Sequence, residues 1–240
     1  MSAVEYRDVS VTAPNGGVLL DRVSLTIARG ERVAYLGRSG AGKTTALKLI
    51  NGLVAPSSGT MLIDDAPLGE QDLVALRRGI GYVMQHPALF PHRTVFDNIA
   101  TVPRLLGWDE ARTRDAAAAL LRQLELPVER FGTRHPRMLS GGEQQRVAIA
   151  RAMIVAPRLL LCDEPFSALD PLIRTELQSL LIETARETTL VFVTHDVREA
   201  LRIAGRIVVF DAGRVVADTA SGALARHEHP LVRRFVASAG

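Results

Sequence analysis

Gly37-Arg38-Ser39-Gly40-Ala41-Gly42-Lys43-Thr44-Thr45 fits the pattern G-x-x-x-x-G-K-[ST] of a loop that binds phosphate groups. The apolar run at 32–36 before it has the length and branching of a buried strand, and the residues from 43 to 51 have helical spacing. A strand, a loop and a helix in this order are the context that the motif requires, whereas an ordinary glycine-rich turn does not need them. The stretch therefore predicts an α/β fold with a phosphate site at the end of a strand.

The chemistry of this loop follows from its backbone and from two side chains. Glycines at 37, 40 and 42 allow successive N–H groups to turn inward as an anion-binding nest, and the following helix adds its positive N-terminal end. Lys43 carries a flexible point charge able to follow the β- and γ-phosphates of a nucleotide. The Thr44 hydroxyl is a hard oxygen ligand suited to Mg²⁺.

Composition excludes several other classes of protein. The 240 residues include 29 basic and 26 acidic side chains, so the net charge of +3 does not predict a strongly basic surface for nucleic acid. The one cysteine, Cys162, rules out an intrachain disulfide framework and is expected in the core. No signal peptide or membrane span is visible, and we expect a cytoplasmic protein without an appended regulatory module.

The remaining elements are predicted from periodicity and from turn residues. Strands are expected at 4–12, 23–27, 60–63, 81–84, 159–162, 190–194, 206–211 and 214–217. Helices are expected at 72–78, 109–126, 146–156 in continuation of a start at Ser140, from Asp170 onward, and at 224–237. Three prolines interrupt the segment from 86 to 106.

Two strand ends carry candidate site residues. Asp163 and Glu164 follow an apolar strand at its carboxyl end, where ligands of open α/β sheets bind. Adjacent acids are also common in solvated turns, but the buried-type strand before them favours a metal and water role. His195 follows another buried-type strand, and its position favours the site over a purely structural role.

Further motifs in the same order complete a family pattern. They are Gln85, the run Leu139-Ser140-Gly141-Gly142-Glu143-Gln144-Gln145-Arg146, the strand and acids at 159–164, the segment Ser167–Asp170, and His195. With these motifs the chain resembles ABC-type ATPases of importers. The segments at 85–92, 102–108 and 166–170 are most similar to those of the glycine betaine and choline osmoprotectant group.

The resemblance implies a P-loop NTPase fold with a RecA-like core, an N-terminal antiparallel β subdomain and an inserted α-helical signature subdomain. It implies one domain over 1–240, with the core and β subdomain in 1–85 and 157–240 and the helical subdomain in 86–156. ATP and Mg²⁺ are the implied ligands.

The resemblance also implies a role for each motif residue. Lys43 and the loop from Gly37 to Thr45 would hold the phosphates, and Thr44, Gln85 and Asp163 would bind Mg²⁺ directly or through water. Glu164 would polarise the attacking water, and His195 would contact the γ-phosphate. Ser140, Gly141, Gly142 and Asp170 would complete the site of a second copy in an ATP-sandwich dimer.

The resemblance implies two further partners: a transmembrane permease that docks near residues 85–92 and, indirectly, a substrate-binding protein. It also implies that the chain is a peripheral protein on the inner face of the cell membrane. For Leu89 and Phe90, core packing is an equal alternative to partner contact. An importer of another polar solute, such as an amino acid or polyamine, or a non-transport ABC ATPase are the alternative functions.

One feature departs from the family pattern. The family stacks adenine on an aromatic residue between the first two strands, but the turn Ala13-Pro14-Asn15-Gly16-Gly17 contains none. Tyr6 lies earlier and is predicted to be a strand residue. We therefore expect weak discrimination between bases, with the base held by apolar contact from residues such as Val18.

Overall fold

The computed structural model describes residues 1–238 of the chain. The strands are β1 Ser2–Thr12, β2 Val18–Ala28, β3 Arg32–Leu36, β4 Ser58–Ile63, β5 Ala66–Pro67, β6 Ile80–Val83, β7 Leu159–Asp163, β8 Thr189–Thr194, β9 Arg206–Asp211 and β10 Arg214–Ala220. The α-helices are α1 Lys43–Ile50, α2 Leu73–Gly79, α3 Val95–Ile99, α4 Thr101–Leu105, α5 Glu110–Gln123, α6 Val128–Phe131, α7 Gly141–Met153, α8 Pro171–Thr184, α9 Val197–Ile203 and α10 Pro230–Ala237.

Contacts between residues divide the chain into two compact units. The first unit contains Met1–Arg77 and the described residues from Thr189 onward, and the second unit contains Arg78–Thr188. The predicted division of the chain at residues 86 and 156 remains a prediction.

The first unit contains two groups of strands. An antiparallel sheet has the order β2-β1-β4-β5, and the other group has the order β10-β9-β3-β8. Strand β3 pairs in parallel with both β8 and β9, with Leu36 opposite Thr194 and Val209. Because these strands run in parallel, their carboxyl ends lie at one edge, and the residues that follow β3 and β8 are brought there together.

Burial explains why these strands form. All six residues of β8 and four of the five residues of β3 are buried, which is the pattern of parallel strands covered on both faces. Helices α9 and α10 contribute to one core cluster with residues of β3 and β9, including Ala34, Ile207, Ala200 and Val232.

Two buried tyrosines connect the strands of the first unit to α1. The Tyr35 hydroxyl donates to the Tyr6 hydroxyl at 3.1 Å, and Tyr6 donates to the carbonyl of Ala46 at 2.8 Å. Both side chains are almost fully buried. Tyr6 is thus a strand residue of β1, as the sequence predicted, and its side chain lies in the core.

The second unit is built around α7. Strands β6 and β7 pair in parallel, with Val83 opposite Cys162, and α7 contacts β6 as well as α3, α5 and α8. Eight of the thirteen residues of α7 are buried, including the polar Gln145 and Arg146. Cys162 is fully buried in β7, as predicted.

Two predicted helices end or begin elsewhere than expected. The helix predicted to run to Ala156 ends at Met153, because Ala156 has a left-handed backbone with φ of 48° and precedes Pro157, which disfavours a helical residue before it. The predicted helix at 224–237 is instead a 3₁₀ segment at Ser221–Arg226 followed by α10. His229 has extended backbone and caps α10, because Pro230 at the first helical position cannot continue a helix from before it.

None of the helices within residues 1–238 is both long enough and apolar enough to cross a lipid bilayer.

Candidate functional site

The loop at 37–42 joins β3 directly to α1, as the motif predicted. The Lys43 side chain is buried, and its ammonium donates to the carbonyls of Gly37 at 2.8 Å and Arg38 at 2.9 Å. A buried ammonium is costly unless its N–H groups are paired, so these carbonyls hold the charge at the loop. The loop thus presents a fixed cation and the amide groups at the start of α1, which is the donor set that suits a phosphate chain.

Glycine is required in this loop for more than one reason. Gly40 and Gly42 have φ of 79° and 100°, a region that L-residues rarely adopt. A Cβ on Gly42 would also lie 2.7 Å from the carbonyl oxygen of Leu19 in β2. A Cβ on Gly37 would lie 2.5 Å from the carbonyl oxygen of Phe210 in β9. The sequence indicated the backbone requirement, but only the structure shows these close contacts.

His195 lies in the turn that follows β8, next to the strand that leads into the phosphate loop. Its side chain is exposed. The turn is fixed by its neighbours: Asp196 caps α9 by accepting from Arg198 N at 2.7 Å, and the Thr194 hydroxyl donates to Glu199 at 2.6 Å while accepting from Asp196 N at 3.0 Å. The first unit therefore brings His195 and the phosphate loop to the same strand edge.

The second unit brings together Gln85, Asp163 and Glu164. Strands β6 and β7 are parallel neighbours, so Gln85, two residues beyond β6, and the two acids at the end of β7 lie at one strand edge. The Tyr82 hydroxyl donates to Asp163 Oδ2 over a long 3.5 Å. Burial, together with the Asp163 carboxylate beside it, raises the pKa of Tyr82.

Glu164 has an unusual backbone for a residue with a side chain. Its φ is 46°, and its carbonyl accepts from the amide of Ser167 at 3.3 Å and from the Ser167 hydroxyl at 3.1 Å. Left-handed backbone at a non-glycine residue costs energy and persists only where the surroundings enforce it. The turn at 164–167 therefore fixes the direction in which the Glu164 side chain leaves the strand end.

Ser140 and Asp170 cap two helices of the second unit. The Ser140 hydroxyl accepts from Glu143 N at 3.3 Å and the Glu143 side chain accepts from Ser140 N at 2.7 Å, which together form a capping box at the start of α7. Asp170 accepts from Ile173 N at 3.1 Å and caps α8. Ser140, Gly141 and Asp170 are all exposed.

Three residues that sequence reasoning did not single out hold the segment around Gln85. Tyr82 contacts Asp163 as described, Gln145 donates to the carbonyl of Met84 at 3.3 Å, and the Arg151 guanidinium donates to the carbonyls of Pro87 and Ala88, both at 2.8 Å. Burial lowers the pKa of Arg151. No local pattern marks these residues, since each acts on a partner more than 60 positions away.

The predicted metal ligands are oxygen donors. Thr44 supplies a hydroxyl, Gln85 an amide oxygen and Asp163 a carboxylate, a set whose chemistry fits Mg²⁺. Within residues 1–238 there is no grouping of three or more His, Cys, Asp or Glu side chains that would hold a metal of another type.

The edge of β2 offers an apolar surface in place of an aromatic one. Val18 is 62% exposed and directly precedes Leu19, whose carbonyl contacts the phosphate loop at Gly42. This position supports the expectation that apolar contact replaces stacking.

Comparison with known proteins agrees with this geometry. The profile of the ABC transporter family matches residues 20–167, more than half of the chain. An osmoprotectant import ATP-binding protein, OsmV, of Salmonella typhimurium is 46% identical over 82% of this chain and 52% of its own length. The choline transport ATP-binding protein OpuBA of Bacillus subtilis is 45% identical over 87% of this chain and 55% of its own length. The chain thus spans about half the length of these relatives.

Solved structures give the same fold. The ATP-binding cassette MJ0796, a dimer in a post-hydrolysis state with ADP and Pi, has a TM-score of 0.81 and 34% identity over 91% of this chain and 98% of its own. CbiO1 of Clostridium perfringens, part of an ABC transporter complex, has a TM-score of 0.85 and 28% identity over 97% of this chain and 94% of its own. The predicted α/β fold of the P-loop NTPases and the resemblance to the osmoprotectant group are confirmed, and the chain belongs to the ABC transporter family.

Proposed function

We propose that this protein hydrolyses ATP as the ATP-binding subunit of an importer. The observation that carries the proposal is the buried Lys43 ammonium, held on the carbonyls of Gly37 and Arg38 in a loop between a parallel strand and a helix. Burying a cation costs free energy, and a polyphosphate is the kind of ligand whose negative charge this cation would balance.

Each residue of the site has a part in the reaction. Lys43 and the amides from Gly37 to Thr45 would hold the β- and γ-phosphates. Thr44, Gln85 and Asp163 would hold Mg²⁺, which when bound would neutralise charge on the phosphate oxygens. Phosphoryl transfer asks the protein mainly to position groups and to stabilise charge.

Two side chains act at the reacting phosphate. Glu164, directed by its left-handed backbone, would orient the attacking water and accept its proton. His195, exposed at the end of β8, would donate to the γ-phosphate. These assignments are supported by the strand-end positions of both residues.

The protein would work as a homodimer that encloses two ATP molecules. Ser140, Gly141, Gly142 and Asp170 would act on the ATP held by the other copy, which is supported by the exposure of Ser140, Gly141 and Asp170 and by the dimeric state reported for MJ0796. ATP binding would close the dimer, and hydrolysis would reopen it.

The transported solute would be a quaternary amine such as glycine betaine or choline. This is supported by the names of two relatives, which refer to osmoprotectant and choline transport. The chain would lie at the inner face of the cell membrane, contact a permease through residues 85–92, and depend on a substrate-binding protein. The partly exposed side chains of Met84 and Phe90 offer an apolar surface at this segment.

The catalytic proposal is tested with Glu164→Gln, which keeps the shape of the side chain and removes the charge that orients water. We expect this variant to bind ATP, to lose nearly all turnover and to accumulate as a dimer with ATP in gel filtration. Glu187→Gln, an exposed change in the same unit, is the matched control and should retain turnover. Near-normal hydrolysis by Glu164→Gln would assign the catalytic role to another residue.

The importer proposal is tested by co-purification with the permease, followed by screening of solutes for stimulated ATP hydrolysis in reconstituted vesicles. Stimulation by glycine betaine or choline is the expected result. Stimulation by amino acids or polyamines instead would refute the solute class, and hydrolysis without any permease association would support a non-transport ABC ATPase.

A further inference from the structure

Arg146 lies at the centre of a contact network that joins α7 to α8 within the second unit. Its guanidinium donates to the carbonyl of Leu124 at 3.0 Å, to the Glu125 carboxylate at 2.7 Å, and to the Glu176 carboxylate on α8. The Arg146 side chain is only 11% exposed, whereas those of Glu125 and Glu176 are 58% and 42% exposed. A largely buried guanidinium is retained only where its donors are satisfied, so the three acceptors fix its position.

The helix ends beside this network are in close contact. A Cβ on Gly142 would lie 2.7 Å from Ile173 Cγ2, a separation that real Cβ atoms do not show, so the glycine allows the first turn of α7 to approach the first turn of α8. Gly141 faces Leu169 Cδ2 at 3.8 Å from the position of a Cβ. Gly141 and Gly142 therefore lie beside the residues that flank Asp170 in the same chain.

The contacts continue from α8 towards Glu164. Arg174 donates to the carbonyl of Leu169 at 3.1 Å, and Asp170 caps α8 through Ile173 N. The turn before it is closed by Ser167, which donates to the carbonyl of Glu164. A continuous series of contacts thus leads from Glu164 through α8 and Arg146 to the start of α7.

We propose that Arg146, through Glu176, is a positioning residue that couples the two ATP sites of the dimer. The inference rests on the proposed function: Glu164 would serve the ATP of its own chain, while Ser140–Gly142 of the same chain would close on the ATP of the other copy. A movement of the turn at Glu164 can reach those residues where α8 lies against α7. The contact at Gly142 joins the first turns of the two helices, and the ion pair from Arg146 to Glu176 joins the helices beyond those turns. Changes in such a coupling network alter coupling by about two- to thirtyfold in equilibrium constant.

The test uses Arg146→Met, Arg146→Lys, Glu176→Gln and the double variant Arg146→Met/Glu176→Gln. Arg122→Met, an exposed arginine of the same unit, is the matched control. Three quantities are measured: binding of a fluorescent ATP analogue at protein concentrations below dimerisation, ATP-driven dimerisation in the Glu164→Gln background, and the Hill coefficient of hydrolysis with Glu164 intact.

We expect nucleotide binding by the single chain to stay within about twofold of the unaltered protein, because the described hydrogen bonds of Arg146 all lie within the second unit, whereas the phosphate loop belongs to the first unit. Dimerisation should weaken by about two- to thirtyfold in Arg146→Met and Glu176→Gln, and the Hill coefficient should fall towards one. The double variant should be no weaker than Arg146→Met alone, since the two residues act through one contact.

A purely structural role gives a different result. It would lower the thermal unfolding temperature and, in proportion, the fraction of active protein. The Hill coefficient and the dimerisation constant of the folded protein would then match those of Arg122→Met. That result would overturn the inference. If Arg146→Met does not fold, Arg146→Lys and Glu176→Gln decide the question by the same comparison. An unaltered protein that neither hydrolyses ATP nor dimerises with it would instead refute the proposed function, and the coupling with it.

Discussion

The phosphate loop requires glycine for two physical reasons, a left-handed backbone and a close contact, and its three glycines differ in which reason applies. At Gly40 the backbone is left-handed with φ of 79°, but a Cβ would meet nothing within 4 Å. At Gly37 the φ lies outside the left-handed range, but a Cβ would lie 2.5 Å from the carbonyl oxygen of Phe210. At Gly42 both conditions hold, with φ of 100° and Leu19 O at 2.7 Å. Alanine at position 40 therefore tests the cost of the left-handed backbone, alanine at position 37 tests the cost of the close contact, and alanine at position 42 tests both.

The expected loss of stability follows from these geometries. Left-handed backbone in a residue with a Cβ costs about 1–2 kcal/mol, which is the full expected effect of Gly40→Ala on the free energy of unfolding. Forcing an extra methyl group into a packed site costs about 1–3 kcal/mol, which is the expected effect of Gly37→Ala because the contacted atom is backbone and cannot rotate away. Gly42→Ala should combine the two and lose about 2–5 kcal/mol.

The assay is urea unfolding of the nucleotide-free protein, followed by far-ultraviolet circular dichroism, with the midpoint and the slope measured for each variant. Gly30→Ala is the control for left-handed backbone away from the phosphate loop, since Gly30 has φ of 75° and open space around its Cβ position. It should lose as much stability as Gly40→Ala. The reasoning is refuted if Gly40→Ala is as unstable as Gly42→Ala, or if Gly37→Ala unfolds at the same urea concentration as the unaltered protein.

Three further predictions concern single side chains. Lys43→Ala should lose nucleotide affinity itself rather than turnover alone, because it removes the cation held at Gly37 and Arg38; unchanged affinity in a titration with labelled ATP would contradict the phosphate assignment. Binding of ATP and GTP should differ by less than about tenfold, because apolar contact from Val18 cannot read base edges, and a strong ATP preference in competition titrations would oppose this. Burial raises the pKa of Tyr6 and of Tyr35, so above about pH 10 these tyrosines ionise in the unfolded chain but not in the folded protein. The two together should therefore lower the free energy of unfolding by about 2.7 kcal/mol for each pH unit above about pH 10. The partly buried Tyr82 and the buried Cys162, whose pKa values are also raised by burial, add to the measured slope. Tyr6→Phe should therefore lower the measured slope by about 1.4 kcal/mol per pH unit and lower stability at neutral pH by about 1–3 kcal/mol, measured by urea unfolding at each pH. An unchanged slope would mean that Tyr6 ionises freely in the folded protein.

Elements fixed by local chemistry were predictable from the sequence. The strand before the phosphate loop was predicted at 32–36 and is found there, and the strand before His195 was predicted within one residue of β8. Each is a short apolar run bounded by residues that end a strand, so the signal lies within the element itself. The cap at Ser140 was predictable for the same reason, because its partner Glu143 lies only three positions away.

The three prolines that interrupt the segment at 86–106 do not exclude helices from it. Two short helices, α3 and α4, form there, and Pro103 lies inside α4. Because α4 begins at Thr101, Pro103 occupies the first turn, where the backbone N–H has no partner within the helix. Whether a proline breaks a helix therefore depends on where that helix begins. Here the Thr94 cap sets the start of α3, and α4 follows α3 almost immediately.

Asp170 illustrates a limit that no local pattern removes. In the structure its carboxylate caps α8, which is a complete structural explanation for the residue, and the same side chain is exposed at the start of that helix. The cap and a role towards a second copy place different requirements on this side chain. A cap needs only an oxygen acceptor, so Asp170→Asn should keep the helix and change the free energy of unfolding by no more than about 0.5 kcal/mol. A role in the facing site needs the negative charge and the position of α8 relative to α7. If Asp170→Asn folds normally but loses ATP-driven dimerisation, the carboxylate has a use beyond the cap, and that use depends on its negative charge.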